Sequence, residues 1–192
     1  YGGTGFDPLS YCLAVEEISR ICPSIGVTMS VSNSVCCWPI ARFGGEEVKR
    51  EFLPDLASGR KIGGFCLTEA GSGSDAGAML TTARRAGDDF VLDGAKVWIT
   101  NAGVAGTFVV MAKTDPAAGK RGISAFVVDA ASPGIQVGRP EEKLGLRASN
   151  TAAVTFTECR VPARQLLGTE GAGFKIALAT LDHSRLGIAA QA

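Results

Sequence analysis

Cys66-Leu-Thr-Glu-Ala-Gly-Ser-Gly-Ser-Asp-Ala-Gly77 is the stretch on which the choice of fold turns. Its Gly71-x-Gly73-x-x-Ala76 spacing mimics the fingerprint of a dinucleotide-binding α/β fold, and Asp93 follows Gly73 by roughly the 20 residues such a fold uses. That fingerprint requires a crossover helix directly after the glycines. Here residues 79–85, Met-Leu-Thr-Thr-Ala-Arg-Arg, read as strand instead. The stretch is therefore a loop between strands and not the mouth of a doubly wound sheet. As a composition it is a plain glycine-rich loop. Its small residues and the Thr68, Ser72 and Ser74 hydroxyls equally suit backbone N–H groups pressed against a phosphate.

Downstream of this loop the texture stays that of short strands and turns. Ile62–Leu67, Met79–Arg85, Phe90–Leu92, Lys96–Thr100, Thr107–Lys113, Ile123–Val128, Ile135–Val137 and Val154–Phe156 are the predicted strands. Asp93-Gly94, Asn101-Ala-Gly103, Asp115-Pro116 and Ser132-Pro133-Gly134 separate them. Such spacing points to an antiparallel sandwich or barrel over residues 61–162. Residues 1–60 read as helical. Asp7 is an N-cap with Pro8 at the first helical position, and Leu9, Leu13, Glu17 and Ile18 keep helical spacing up to Pro23. Val27, Val31 and Val35 recur every four residues, yet their β-branching leaves helix and strand both open until Pro39 breaks the segment. A third helix spans about Gly45 to Ala57, with Glu46 four residues before Arg50 and Gly59 closing it. After Val161-Pro162, residues 163–192 turn helical again, with Phe174, Ile176, Ala177, Leu178, Leu181, Leu186 and Ile188 forming a strongly apolar helix. The layout is α+β: helices, a β-domain, then a helix that stops uncapped at Ala192, as in a piece of a larger protein.

Composition excludes several chemistries. The 19 basic and 19 acidic residues cancel, and no basic run exceeds two, so nothing marks a nucleic-acid or anionic-membrane surface. No apolar run is long enough for membrane insertion, and no basic-then-apolar leader stands at the start. The six cysteines never take C-x-x-C spacing, which argues against a metal site and for reduced, mostly buried thiols. The lone His183 has no Gly-x-Ser-x-Gly partner for a hydrolase triad. Glycine is the outlier: 25 residues, against the roughly 7% of an average protein, so many backbone positions are expected at φ > 0 or in close approach.

Two further strings carry polar chemistry. In Trp98-Ile-Thr-Asn101 the first two side chains face opposite sides of a strand. Trp98 is either ordinary core or a flat surface beside a Thr hydroxyl, suited to a heteroaromatic ring. In Leu181-Asp-His-Ser-Arg185, Asp182 and Arg185 either pair with each other at i,i+3 or contact a ligand.

Taken in order, Cys66…Ala78, Trp98-Ile-Thr-Asn101, Lys143-Leu-Gly-Leu-Arg147 and Gly173-Phe-Lys-Ile…Leu-Asp-His-Ser-Arg185 closely resemble the acyl-CoA dehydrogenase family, especially its short-chain, butyryl-type branch. Tyr1-Gly-Gly-Thr-Gly5, Ala14-Val-Glu-Glu-Ile-Ser19 and Ser32-Asn-Ser34 resemble it too, so the likeness runs over essentially the whole chain. It implies later helices of an N-terminal helical domain in 1–60, a complete middle β-domain in 61–162, and the first helix of a C-terminal bundle in 163–192. It also implies homotetramers, electron-transfer flavoprotein as the electron acceptor, and a bacterial cytoplasm or a mitochondrial matrix as the compartment.

The resemblance further implies FAD between the β-domain and the C-terminal bundle. Phe65, Leu67 and Thr68 would line its isoalloxazine, Thr68 bonding the pyrimidine edge, with Trp98, Ile99 and Thr100 against the other side. Gly73 and Ser74 would meet the cofactor, Ser74 also the CoA thioester chain. Asp182, His183, Ser184 and Arg185 match the family's substrate-contacting segment. The implied reaction is α,β-dehydrogenation of a saturated short-chain acyl-CoA. Its base is a Glu far into the C-terminal bundle, so no residue of this chain is assigned as catalytic. Glu69, inside the first motif, is expected to fix the loop. A branched-chain or glutaryl-type dehydrogenase, an oxidase, or a non-catalytic flavin-binding module remain alternatives on the same scaffold.

Overall fold

A computed structural model describes residues 1–192. Helix α1 (Pro8–Ile21) starts as its cap dictates: the Asp7 carboxylate accepts the Ser10 N–H at 2.9 Å, with Pro8 just inside. Its Leu9 and Leu13 stay largely exposed, and the buried positions are Val15 and Ser19. Helix α2 (Pro23–Val31) settles the open choice in favour of helix, and what it buries is Ser24, Gly26 and Ser30 rather than a valine stripe. A Cβ on Gly26 would stand 2.0 Å from the Ser19 hydroxyl, so small residues let α1 and α2 press together. Pro39 does not break the segment. A π-helical stretch, Ser32–Cys37, runs on from α2 and hands the chain to α3 (Trp38–Phe43), where Pro39 sits in the first turn. The wider π-helical turn, whose last N–H, from Trp38, bonds the Asn33 carbonyl, accommodates a residue that cannot donate. Helix α4 (Glu46–Ala57) carries the expected Glu46–Arg50 pair at 3.0 Å.

The β-domain holds β1 (Ile62–Cys66), β2 (Thr82–Ala86), β3 (Asp89–Thr100), β4 (Ala105–Lys113), β5 (Ile123–Asp129), β6 (Ile135–Pro140), β7 (Thr151–Pro162) and β8 (Leu166–Leu167). The strand order is β6-β7-β3-β2-β4-β5-β8, with β1 against β4. Most pairings are antiparallel, but β1 runs parallel to β4, and β2 touches β4 in parallel. Asp93-Gly94 is no hairpin turn: β3 passes straight through it with a bulge, Gly94 taking φ 148° over Thr81. Met79–Thr81 lies outside β2, because the Leu80 and Thr81 N–H groups bond the Glu69 carboxylate instead of a strand. Strand β7 is far longer than Val154–Phe156, and β8 extends the sheet past residue 162.

The sheet separates two apolar cores, and the period-2 alternation of β4 shows the division. Val109 and Met111 point to the helices, joining Ile40, Phe52, Ile176 and Ala177; Phe108 and Val110 point to the other face, with Phe90, Phe126 and Val154. Helix α5 (Gly173–Gln191) lies on the helical side, burying Ile176 and Ala177. Its Leu178, Leu186 and Ile188 remain about half exposed, so the apolar helix read from sequence is only partly covered. No helix is long and apolar enough to cross a membrane. The six cysteines are all free thiols; burial pushes Cys66 up to about 12 and Cys37 to about 11, which keeps them unreactive.

Candidate functional site: a flat shelf at the β1–β3 edge

Leaving β1, the chain runs alongside β3 where the Val97 N–H donates to the Thr68 carbonyl at 2.9 Å. Between Lys96 and Ile99 the β3–β7 register slips, and Trp98 adopts φ 55°. A bulky residue in the left-handed region costs about 1–2 kcal/mol. The slip resets the strand's alternation: Lys96 and Ile99 point inward, while the Trp98 indole is 63% exposed. Trp98 is thus not core. Phe65, Thr68 and Thr100 are each half-buried in the same two hydrogen-bonded segments, and their accessible atoms together with the exposed Trp98 form the candidate surface. Leu67 and Ile99 lie in the same segments, but their side chains belong to the two cores. They can offer a ligand only backbone groups.

Beneath the shelf sits a buried ion pair. Lys96 is 0% exposed, and its Nζ donates to the Glu69 carboxylate at 2.8 Å and the Leu67 carbonyl at 3.2 Å. Glu69 also accepts the Leu80 and Thr81 N–H groups at 2.6 and 3.0 Å. Burial opposes both charges. For Glu69 the Lys96 ammonium and these N–H donors prevail, holding its carboxyl below the usual carboxylate range. For Lys96 burial prevails, and its ammonium titrates below the usual lysine range. Glu69 therefore fixes the loop rather than facing outward. Sequence reasoning missed Lys96 because a lysine within a strand reads as solvent-facing; here it keeps the inward parity of Phe90 and Leu92 and is paired with Glu69.

The glycine-rich loop hangs from this pair. Glu69 and Ser72 exchange backbone hydrogen bonds at 3.0 Å, the Ser72 hydroxyl donates to the Asp75 carbonyl at 2.8 Å, and the Asp75 carboxylate accepts the Gly77 N–H at 3.2 Å. Gly71, Gly73 and Ser74 sit exposed on its outer side. Neither glycine takes a positive φ, and an added Cβ on either would meet open space. Beside this loop the glycines in close approach lie earlier, in β1: a Cβ on Gly63 would stand 2.4 Å from the Cys36 Cβ, and one on Gly64 2.9 Å from the Phe108 ring. A Gly-Gly pair inside a predicted strand was the signal that would have found them.

In the Asp182–Arg185 segment, all but His183 are satisfied locally. Arg185 Nε and Asp182 Oδ1 lie 3.6 Å apart with both side chains exposed, and the Ser184 hydroxyl donates to the Leu181 carbonyl at 2.9 Å. His183 stacks on Trp38, with centroids 4.6 Å apart and 14° between planes, and burial holds its imidazole below the ordinary 6.5. No hydrogen bond or ion pair joins this segment to the shelf. The two meet only through the core, where Phe65 and Leu181 pack on the cluster containing Leu67. A cleft of about 730 Å³, lined in part by Tyr1, Phe6, Tyr11 and Trp38, touches the α5 segment only through His183 and includes no residue of the shelf.

Comparison with known proteins agrees with this architecture. Residues 64–159 match the family model described as acyl-CoA dehydrogenase, middle domain, and residues 1–60 match acyl-CoA dehydrogenase, N-terminal domain. The chain is 53% identical over 191 residues to the human protein named short-chain specific acyl-CoA dehydrogenase, mitochondrial, covering all of this chain and 46% of that protein. It superposes with a TM-score of 0.98 and 49% identity on a chain from the study "Electron transferring flavoprotein of Acidaminococcus fermentans: Towards a mechanism of flavin-based electron bifurcation", covering 100% of this chain and 50% of that one. An acyl-CoA dehydrogenase complexed with FAD from Bacillus anthracis gives a TM-score of 0.92 at 37% identity, covering 100% of this chain and 32% of the other. The chain thus spans about half the length of the curated relatives it matches. With helices, β-domain and following helix all accounted for by these matches, the chain belongs to the acyl-CoA dehydrogenase family.

Proposed function

We propose that the protein containing this chain is an FAD-dependent dehydrogenase that removes the α and β hydrogens of a saturated short-chain acyl-CoA. The observation that carries the reading is Trp98. A large aromatic held outward in a strained backbone conformation, over a buried ion pair, is a surface shaped before its ligand arrives. Its size and flatness fit an isoalloxazine, and the two segments linked at Val97 and Thr68 also carry the half-buried Thr68 and Thr100 hydroxyls.

Phe65 and Trp98 would give the flavin apolar and aromatic contact. Thr68 and Thr100 would donate hydrogen bonds to its heteroatom edge, and Gly73 and Ser74 would present exposed backbone to its phosphates or to the CoA chain. Donors fixed in advance toward an edge that gains negative charge stabilise that charge without reorganising. When bound, FAD supplies the two-electron acceptor for the CH–CH oxidation. Leu67 and Ile99 would contribute backbone atoms only. Asp182, His183, Ser184 and Arg185 would meet the acyl-CoA. The exposed Asp182–Arg185 pair opens at little cost, since such pairs contribute about 0–1 kcal/mol. Glu69 does not act as the base, because its carboxylate is turned inward onto Lys96, Leu80 and Thr81. Electron-transfer flavoprotein would accept the electrons. The exposed Phe6, Leu9, Leu13, Leu178, Leu186 and Ile188 support assembly with further protein surface, in a homotetramer.

The test is an anaerobic titration of the full-length, FAD-loaded protein with butyryl-CoA, which should bleach the visible flavin absorption. Bleaching by glutaryl-CoA alone would move the assignment to that substrate class. A flavin that stays oxidised with butyryl-CoA, hexanoyl-CoA and glutaryl-CoA alike would refute dehydrogenation.

A further inference from the structure

Two fastenings hold β1 and β3 side by side, and the shelf lies between them. At one end the Val97 N–H meets the Thr68 carbonyl at 2.9 Å. At the other, Asn101 Nδ2 donates to the Gly63 carbonyl at 2.9 Å. Phe65, Leu67, Trp98 and Thr100 all fall between these two bonds.

Asn101 is built into this second fastening from several directions. It is fully buried with φ 68°, a region that asparagine tolerates better than most residues. Its N–H donates to the Asn150 carbonyl at 2.6 Å, and Nδ2 reaches a second acceptor, the Thr28 carbonyl of α2, at 3.2 Å. The Gly63 N–H donates to the Ser32 hydroxyl at 3.0 Å, where the π-helical stretch begins. Both polar backbone groups of Gly63 are thus bonded by side chains from other elements. The asparagine Oδ1 is buried without a partner. Such an orphaned acceptor costs free energy and contributes nothing to packing, so the residue is held there for its donors. π-Helical turns within helices recur at functional sites.

We propose that Asn101 is a positioning residue, setting the separation of the Phe65–Thr68 and Trp98–Thr100 segments and so the seat of the flavin, with Ser32 as its counterpart on the helical layer. The proposal rests on the flavin reading above. Asn101 touches neither cofactor nor substrate; it acts through Gly63 on one segment and through its own backbone on the other.

The test uses the full-length protein, stripped of flavin and titrated with FAD. Asn101→Gly keeps the left-handed backbone and removes the amide; Asn101→Asp keeps the size and removes the Nδ2 donors. Both should weaken FAD binding about tenfold, which is ~1.4 kcal/mol. Both should also shift the visible spectrum and reduction potential of the flavin that remains bound, with unchanged circular dichroism. Unaltered affinity, spectrum and potential in both variants would overturn the proposal. Should both fail to fold, Ser32→Ala removes only the Gly63 N–H acceptor: a smaller change in the same direction supports the proposal, and wild-type flavin properties overturn it. Trp98→Ala separates the two readings. Weakened FAD binding there beside normal Asn101 variants defeats the positioning role alone, whereas a wild-type protein that binds no FAD defeats both.

Discussion

The shelf at β1 and β3 holds an aromatic side chain outward at a conformational cost, whereas on α5 Asp182, Ser184 and Arg185 find partners within their own turn. Both were marked by residue type and spacing in the same way. The shelf is rigid below and bare above: Lys96 and Glu69 lock its underside while Trp98 stays exposed. The α5 segment has no comparable support, and its charges are free to exchange one partner for another. A surface of the first kind suits a tightly held, flat cofactor; one of the second suits a substrate that must come and go.

The difference should show most strongly when the shelf's underside is broken. Lys96→Met strands a buried carboxylate and should cost about 3–5 kcal/mol in urea unfolding, with Lys96→Met/Glu69→Gln recovering most of it. The same pair predicts an acid limb. The Glu69 carboxyl is held below its ordinary 4.5 in the fold, so its contribution is complete above that value and disappears as pH falls through the folded pKa. The urea midpoint should therefore fall more steeply on acidification in wild type than in the double variant; parallel curves would show that the pair is not coupled to folding. A smaller effect belongs to the glycines. Gly63→Ala drives a Cβ to 2.4 Å from Cys36 and should cost about 1–3 kcal/mol, while Gly71→Ala, facing open space, should stay within about 0.5 kcal/mol of wild type. Equal losses at both positions would contradict the packing described for β1. Trp98→Gly relieves the left-handed backbone and should stabilise the protein by about 1 kcal/mol while FAD retention falls; stability and retention moving together would show that the indole is structural. The smallest effect is expected on α5. Arg185→Ala should change stability by less than about 0.5 kcal/mol, yet weaken acyl-CoA binding, and unchanged acyl-CoA affinity would remove the segment from the substrate site.

How far the sequence reached depended on whether a signal was local. Asp7-Pro8, Glu46 with Arg50, and the strand at Thr107–Lys113 each rest on residues close together in the chain, and each formed as read. The Asp93-Gly94 dipeptide is a turn signal only when the flanking strands pair with each other. Here both halves pair with β7, so a bulge took its place. Pro39 ends an isolated helix, but a π-helical turn ahead of it keeps the chain helical. Trp98, Ile99 and Thr100 were visible as a group, while the partition among them into exposed and buried was not, because one register slip reassigns every side chain that follows.

By itself the sequence determined the order of helices, strands and helix, the absence of a crossover after the glycine loop, and the motifs that mark the family. Those follow from periodicity, caps and turn chemistry, which depend on near neighbours. Only the tertiary structure decided that Lys96 lies under the shelf, that Asn101 joins α2, β1 and β3, and that Gly63 rather than Gly71 must lack a side chain. Each is a contact between residues far apart in the chain, and its energy exists only once the sheet has closed around it.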